Sequence, residues 1–184
     1  MVGVDIVPAY IEQAKTEARR IGSGQFFCHD AREFVYSDCQ AVFNWWTGFG
    51  YFETDDENIQ VIQSAFDSLR SGGYYLLDLL HPAGVLRHFQ PVMITEYSTK
   101  FGKIRLTRNT QFDLSSGRME KDWIYSQNGK ELRRHHSSLR IYYAHEIVSM
   151  FEKIGFVDIQ LVGNTALAPL NIDHLRCICI GRRP

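Results

Sequence analysis

The run Gly73-Tyr-Tyr-Leu-Leu-Asp78-Leu-Leu-His81 is apolar almost throughout, interrupted by one acid. A strand of this composition is covered on both faces, and such strands belong to parallel sheets flanked by helices. The preceding sequence alternates accordingly. Val2-Gly-Val-Asp5-Ile6 is a short apolar run ending in an acid, and Pro8 suits the first turn of a helix whose Ile11, Ala14, Ala18 and Ile21 share one face. Gly22 stops that helix, and Gln25-Phe-Phe-Cys28 is the next strand. Ala41-Val-Phe-Asn44-Trp45-Trp46 reads as a third buried strand. Thr54-x-x-Glu57 is a capping box opening a helix that buries Ile59, Ile62, Ala65, Phe66 and Leu69 and ends at Gly72-Gly73.

Beyond this the period changes. Residues 92–98, 103–113, 118–127 and 131–142 alternate apolar and polar side chains, with Ile104, Leu106 and Phe112 on one face and Met119, Trp123 and Tyr125 on the face of another strand. Asn128-Gly129 is a type I′ hairpin signal, and Asp113 to Gly117 is a longer turn, so an antiparallel meander is expected. A helix returns with Tyr143, Ile147, Met150, Phe151 and Ile154 on one face and Gly155 as its cap, before strands near 156–163 and 174–181. The expectation is a single α/β domain over 1–184 with an antiparallel insertion at about 92–142.

At 184 residues the chain is long enough to bury a core without disulfide or metal staples. Twenty basic and 21 acidic residues give no surplus to argue for nucleic acid or an anionic membrane. No apolar run approaches the roughly 18 residues of a spanning helix, and Met-Val-Gly-Val-Asp has none of the regions of a secretory signal. Four scattered cysteines make no disulfide framework, and Cys177-x-Cys179 is too close and lacks a second pair for zinc. No metal is expected, and reduced thiols fit a cytoplasm-like compartment.

Ligands of open parallel sheets bind beyond the carboxyl ends of the strands. Asp5, Asp30, Asn44 to Thr47 and Asp78 to His81 lie there. An acid after the second strand of a nucleotide-binding half accepts ribose hydroxyls, a place open to Asp5, and Asp30 is set to meet an adenine amine. The alternatives are that Asp5 caps the following helix and that Asp30 begins a turn.

The residues Val2-Gly-Val-Asp5-Ile6, Cys28-His-Asp30-Ala31-Arg32, Phe43-Asn44-Trp45-Trp46-Thr47-Gly48-Phe49-Gly50-Tyr51-Phe52 and Leu69-Arg-Ser-Gly72-Gly73-Tyr74, in this order and spacing, resemble the class I S-adenosylmethionine-dependent methyltransferases of the small-molecule kind. Phe151-Glu-Lys-Ile-Gly155-Phe156 resembles the family's last helix and the strand into its closing hairpin, and residues 92–142 resemble the extra strands that cover the acceptor site in some members.

The resemblance implies a Rossmann-like methyltransferase sheet and S-adenosyl-L-methionine as cofactor. Asp5 and Ile6 would flank its ribose and adenine, Asp30 and Ala31 its adenine edge, and Asn44 and Trp45 its methionyl end. Trp46, Phe49, Tyr51 and Tyr142 would line the pocket of a small-molecule acceptor. The alternatives are that one of Trp45 and Trp46 is core, since neighbours on a strand point to opposite faces, and that Tyr142-Tyr143 packs at a helix entry. A general base is optional, with His81 the first candidate and a strand-end histidine bonded to backbone the alternative. Tyr143 and His145 are weaker pocket candidates. The family's first strand and Glu/Asp-x-Gly-x-Gly-x-Gly turn precede the strand carrying the ribose acid, whereas this sequence begins at Met1 inside that region.

The expected sheet is therefore N-terminally truncated, with weak cofactor binding and neighbouring strands left unpaired, at roughly 1–3 kcal/mol per buried unmade hydrogen bond. Either the sequence is a fragment of a longer protein, or strand rearrangement or a partner chain closes the gap. The competing expectations are a non-catalytic partner-binding module or strand-exchanged dimer, and a nicotinamide-dependent oxidoreductase, which the Asp30-Ala31 turn and antiparallel ending fit less well. Arg133-Arg134-His135-His136 on an alternating strand reads as a solvated face.

Overall fold

The computed structural model describes residues 1–100 and 102–184. The chain opens with β1 (Val2–Asp5), α1 (Pro8–Ile21) and β2 (Gln25–Cys28), a crossover that pairs β1 and β2 in parallel from Val2↔Gln25 to Asp5↔Cys28. Pro8 stands in the first turn of α1, and Gly22, in the left-handed region at φ 71°, ends it. A second parallel pair follows: β3 (Cys39–Asn44), α2 (Asp55–Ser68) and β4 (Leu69–Leu80).

The capping box forms as the sequence specifies. The Glu57 amide donates to Thr54 Oγ1 at 3.2 Å, and the Thr54 amide donates to Glu57 Oε2 at 3.1 Å. The far end of α2 differs from expectation. It stops at Ser68, whose hydroxyl donates to the Ser64 carbonyl at 2.7 Å and accepts the Tyr36 amide at 3.1 Å. Gly72 and Gly73 lie inside β4, where the register with β3 shifts between Cys39 and Ala41.

After α4 (Ala144–Ile154) and β9 (Val157–Val162), β10 (Arg176–Arg182) inserts antiparallel between β4 and β9, giving the order β3-β4-β10-β9. One face of this sheet carries Tyr75, Leu77 and Cys179 against Ile62 of α2 and Ile147 and Phe151 of α4, all fully buried. Tyr75 stacks on Phe151 with ring centroids 5.4 Å apart. The expected cover on both faces is not complete: Phe43 and Tyr74, on the opposite face, are 64% and 44% exposed, because α1 packs on β1 and β2 instead.

Among the described residues no strand pairs with the second edge of β1 or of β3, so the sheet is divided into β1-β2 and β3-β4-β10-β9. The smaller unit is fastened to α2 through the loop after β2. Arg32 Nη1 reaches Glu57 Oε1 at 2.7 Å, and Ser64 Oγ donates to the Arg32 carbonyl at 2.5 Å.

The expected meander is present as β5 (Val92–Thr99), β6 (Gly102–Asp113), β7 (Arg118–Gln127) and β8 (Lys130–Arg140), antiparallel and in sequence order. Asn128 and Gly129 both have positive φ, 50° and 79°, as a type I′ turn requires. The inward face sets Phe112, Met119 and Leu139 on Leu80 and on Val85 of α3 (Pro82–Arg87), a short helix the sequence did not signal. The meander is tied to the loop after β3: the Arg140 amide donates to the Gly50 carbonyl at 2.8 Å, and Arg118 Nη1 donates to the Phe52 carbonyl at 3.1 Å. Gly50 has φ 98°, and a Cβ there would stand 2.3 Å from the Arg140 carbonyl oxygen, so no larger residue fits this crossing. No helix is long and apolar enough to cross a membrane among the described residues.

Candidate functional site

The loops that leave the carboxyl ends of β2, β3 and β4 meet on one side of the molecule. The Arg32 guanidinium, after β2, lies 4.3 Å over the Phe52 ring, after β3. The Trp46 amide, after β3, donates to Asp78 Oδ2 near the end of β4 at 3.0 Å. This is the side on which the sequence places its candidate residues.

Asp5 ends β1 and is exposed. Its Oδ1 accepts the Val7 amide at 2.7 Å, a turn that leads the chain into α1, and its Oδ2 has no protein partner among the described residues. Both readings of Asp5 are thus compatible: one oxygen caps, the other is open to a hydroxyl. Ile6 beside it is 64% exposed.

Asp30 is differently placed from what the resemblance implies. Arg32 closes on it with its amide (2.9 Å), Nε (3.1 Å to each oxygen) and Nη2 (2.6 Å), which occupies the carboxylate's acceptor sites. The Arg32 hydrogen bonds hold its carboxyl below the usual range. A ligand amine has to displace this fork to reach Asp30. Ala31 is half-buried against the main core.

β3 ends at Asn44, so the expectation of a buried strand through Trp46 fails, and with it the alternation that would bury one tryptophan. Trp45 is 37% and Trp46 79% exposed. Trp46 and Thr47 both take left-handed backbone, at φ 58° and 62°, which costs energy for residues with a Cβ. Asp78 and Arg176 hold that turn. Asp78 is 2% exposed and accepts Arg176 Nε and Nη2 at 2.6 and 2.5 Å besides the Trp46 amide. Arg176 Nη2 also donates to Thr47 Oγ1 at 3.0 Å, and its guanidinium lies 5.5 Å from the Trp46 ring centroid. Asn44 is half-buried and its side-chain Nδ2 donates to the Gly48 carbonyl at 3.5 Å. Arg176 is absent from the sequence-derived site because it is 98 residues from its partner.

Two expected pocket residues belong to the core instead. Phe49 and Tyr142 are each 2% exposed and pack with ring centroids 5.4 Å apart. The Tyr142 hydroxyl donates to Asp55 Oδ1 at 2.6 Å, and burial pushes its pKa upward. Tyr51 is open to solvent, as are Tyr143 and His145, whose rings stack at 5.9 Å.

His81 follows β4 as the N-cap residue of α3 and is 8% exposed. Its Nδ1 is 3.1 Å from the His174 carbonyl oxygen, which can only accept, so Nδ1 is the donor of this bond. This is the backbone-bonded arrangement weighed against catalysis. The outer-face histidine His136 lies between Asp122 (3.0 Å) and Glu120 (3.1 Å), and those acids raise its pKa.

No family model and no curated protein matches the sequence. The fold has counterparts among solved structures. The chain superposes on the CcbJ methyltransferase from Streptomyces caelestis with a TM-score of 0.83 at 15% identity, over 99% of this chain and 74% of that one. It is similar to an S-adenosylmethionine-dependent methyltransferase from Clostridium acetobutylicum, at TM-score 0.81 and 14% identity, over 99% of this chain and 74% of the other. It also resembles S-adenosylmethionine-bound CalS10 from Micromonospora echinaspora, an amino pentose methyltransferase, with TM-score 0.72 and 16% identity over 100% of this chain and 73% of that one. The fold is that of the class I S-adenosylmethionine-dependent methyltransferases, over about three quarters of those chains' length.

Proposed function

We propose that this chain is an S-adenosylmethionine-dependent methyltransferase acting on a small molecule. The observation that carries the reading is the open carboxylate oxygen of Asp5 at the end of β1, on a fold shared with methyltransferases. The residues present fit the cofactor in part. Asp5 Oδ2 is an unpartnered acceptor for a ribose hydroxyl, and exposed Ile6 offers an apolar edge. Trp45 and Trp46 are exposed aromatics of the kind that attract a sulfonium cation, with the Arg176 guanidinium already 5.5 Å from the Trp46 ring centroid. Asp30, forked to Arg32, does not fit as the adenine-amine acceptor in this conformation.

The cofactor supplies an electrophilic methyl group. What the chain contributes is position. The Asp78–Arg176 pair fixes the Trp46 turn, Gly50 and Arg140 fix the loop behind it, and the meander roofs α3. Catalysis by positioning needs the reacting atoms held at about 3–3.5 Å and in line, which rigid loops of this kind provide. His81 is the candidate base of the sequence-derived set, although its Nδ1 is engaged by the His174 carbonyl, and an acceptor with a low enough pKa needs no base.

The test is calorimetric titration of S-adenosylhomocysteine, with solution mass measured in parallel. Stoichiometric binding that weakens on Asp5→Ala supports the reading, and binding indifferent to that substitution removes it. A second reading is a non-catalytic, strand-exchanged dimer. The edges of β1 and β3 that have no partner strand among the described residues favour it, since such edges recruit strands from other chains. A dimeric mass without cofactor binding supports this second reading.

A further inference from the structure

The inward face of the meander changes character along its length. Its lower part is apolar, with Met119 opposite Phe112 and Leu139 over Leu80 and Val85. One step further along β7, about 7 Å, the same face presents Lys121, with Thr110 and Ser137 as cross-strand neighbours. The next step presents Trp123 opposite Arg108.

Lys121 and Arg108 are both half-buried, and among the described residues neither forms an ion pair. Arg108 spends one Nη2 hydrogen on Thr95 Oγ1 at 2.9 Å, while its Nε is buried with no hydrogen-bond partner. Its guanidinium lies 5.7 Å from the Trp123 ring centroid. Burial and the neighbouring Arg108 charge hold the Lys121 ammonium below its ordinary pKa. The acids of β7 do nothing to relieve this, because Glu120 and Asp122 point to the other face, where they meet Ser138, His136 and Arg134.

Two like charges brought together out of water, with a buried guanidinium donor unused, are unfavourable in the free protein. The arrangement becomes favourable once an oxyanion accepts from both, and a guanidinium edge is shaped for that. We propose that Arg108 and Lys121 bind a carboxylate or phosphoryl group carried by the small molecule this chain methylates, with Trp123 packing against the adjoining part of that molecule. The assignment of this anion to the methyl acceptor rests on the methyltransferase reading above. The site lies on the face that continues from the apolar roof of α3, so a ligand held there extends toward the end of β4.

The probes are sodium pyrophosphate and sodium acetate, titrated calorimetrically into the intact chain and into Arg108→Gln, Lys121→Met and Arg134→Gln. Arg134 is the outer-face control, paired with Glu131. We expect binding of at least one probe, weakened about tenfold or more by either inner-face substitution, as befits a lost charge-assisted hydrogen bond, and unchanged by Arg134→Gln. Pyrophosphate binding assigns a phosphoryl group and acetate binding a carboxylate. Binding of neither probe, or equal binding by all variants, overturns the proposal.

If a variant does not fold, the resonances of the intact chain decide. Shifts centred on the Arg108 Nε–H and the Trp123 indole N–H support the site, and shifts on the outer face or nowhere overturn it. S-adenosylhomocysteine is titrated separately. Its binding, unchanged in the two inner-face variants, places the loss on the acceptor side. An intact chain that binds pyrophosphate but no S-adenosylhomocysteine overturns the acceptor assignment through the failure of the methyltransferase reading, not of the anion site.

Discussion

Arg176→Met tests the buried ion pair beneath the Trp46 turn. Asp78 is 2% exposed and receives two guanidinium hydrogen bonds at 2.6 and 2.5 Å. Methionine fills similar volume but leaves the carboxylate without its cation, with only the Trp46 amide still donating. Breaking a buried pair from one side costs about 3–5 kcal/mol. For a chain of 184 residues, at ~2.1 cal/mol/K of unfolding entropy per residue, that is a fall of roughly 8–13 °C in Tm.

Asp78→Asn should cost less, about 1–3 kcal/mol, because the Arg176 side chain is 28% exposed and can turn to water, whereas Asp78 cannot. Urea unfolding followed by circular dichroism measures both, with an unchanged m-value confirming a pure stability effect. A loss below about 1 kcal/mol for Arg176→Met, or a larger loss for Asp78→Asn, would refute the reasoning that burial sets the asymmetry.

Three further outcomes are expected. Thr54→Ala removes both the side-chain acceptor for the Glu57 amide and the reciprocal bond's partner geometry, lowering stability by about 1 kcal/mol in the same urea assay. His136, raised chiefly by its hydrogen bond to Asp122, titrates by NMR above 6.5 in the intact chain and moves down in Asp122→Asn. Because its folded value is the higher one, the associated stability is fully present below pH 6.5 and fades as pH rises through the folded midpoint. A maleimide probe modifies exposed Cys28 in the folded chain, while buried Cys177, pushed up to about 11 by desolvation, and fully buried Cys179 react only after unfolding.

Features set by neighbouring residues were legible in the sequence. Pro8 and Gly22 bound α1, Thr54 and Glu57 start α2, and Asn128-Gly129 turns β7 into β8, each through backbone needs met within four residues. Alternation gave the meander to within about two residues at each strand end because one face is apolar and packed. The errors came where distant partners decide. Trp45 and Trp46 have strong strand preference, yet the chain leaves β3 at Asn44 because Asp78 captures the Trp46 amide.

The site was read less completely than the fold. Asp5 lies where an acid after a strand should, but Asp30 has two suitors, a ligand amine and Arg32 two residues on, and spacing alone does not say which wins. Tyr142 fits both a pocket wall and helix-entry packing by sequence, and its burial against Phe49 decides for packing. Arg108 and Lys121 look like ordinary solvated charges on an alternating strand, and only their shared face and the buried Nε distinguish them.

The position of β10 beside β4 has a consequence for how the chain is made. Asp78 and Arg176 are 98 residues apart, so at about 5–20 residues per second a ribosome needs on the order of 5–20 s to deliver the partner after the acid. Throughout that interval Tyr75, Leu77 and Leu79 form a strand with an open edge, the kind of segment that aggregates. A charge in its middle opposes stacking against other copies. The same carboxylate that demands a cation in the finished molecule therefore acts as a gatekeeper in the nascent one, and the arrival of Arg176 ends both duties together.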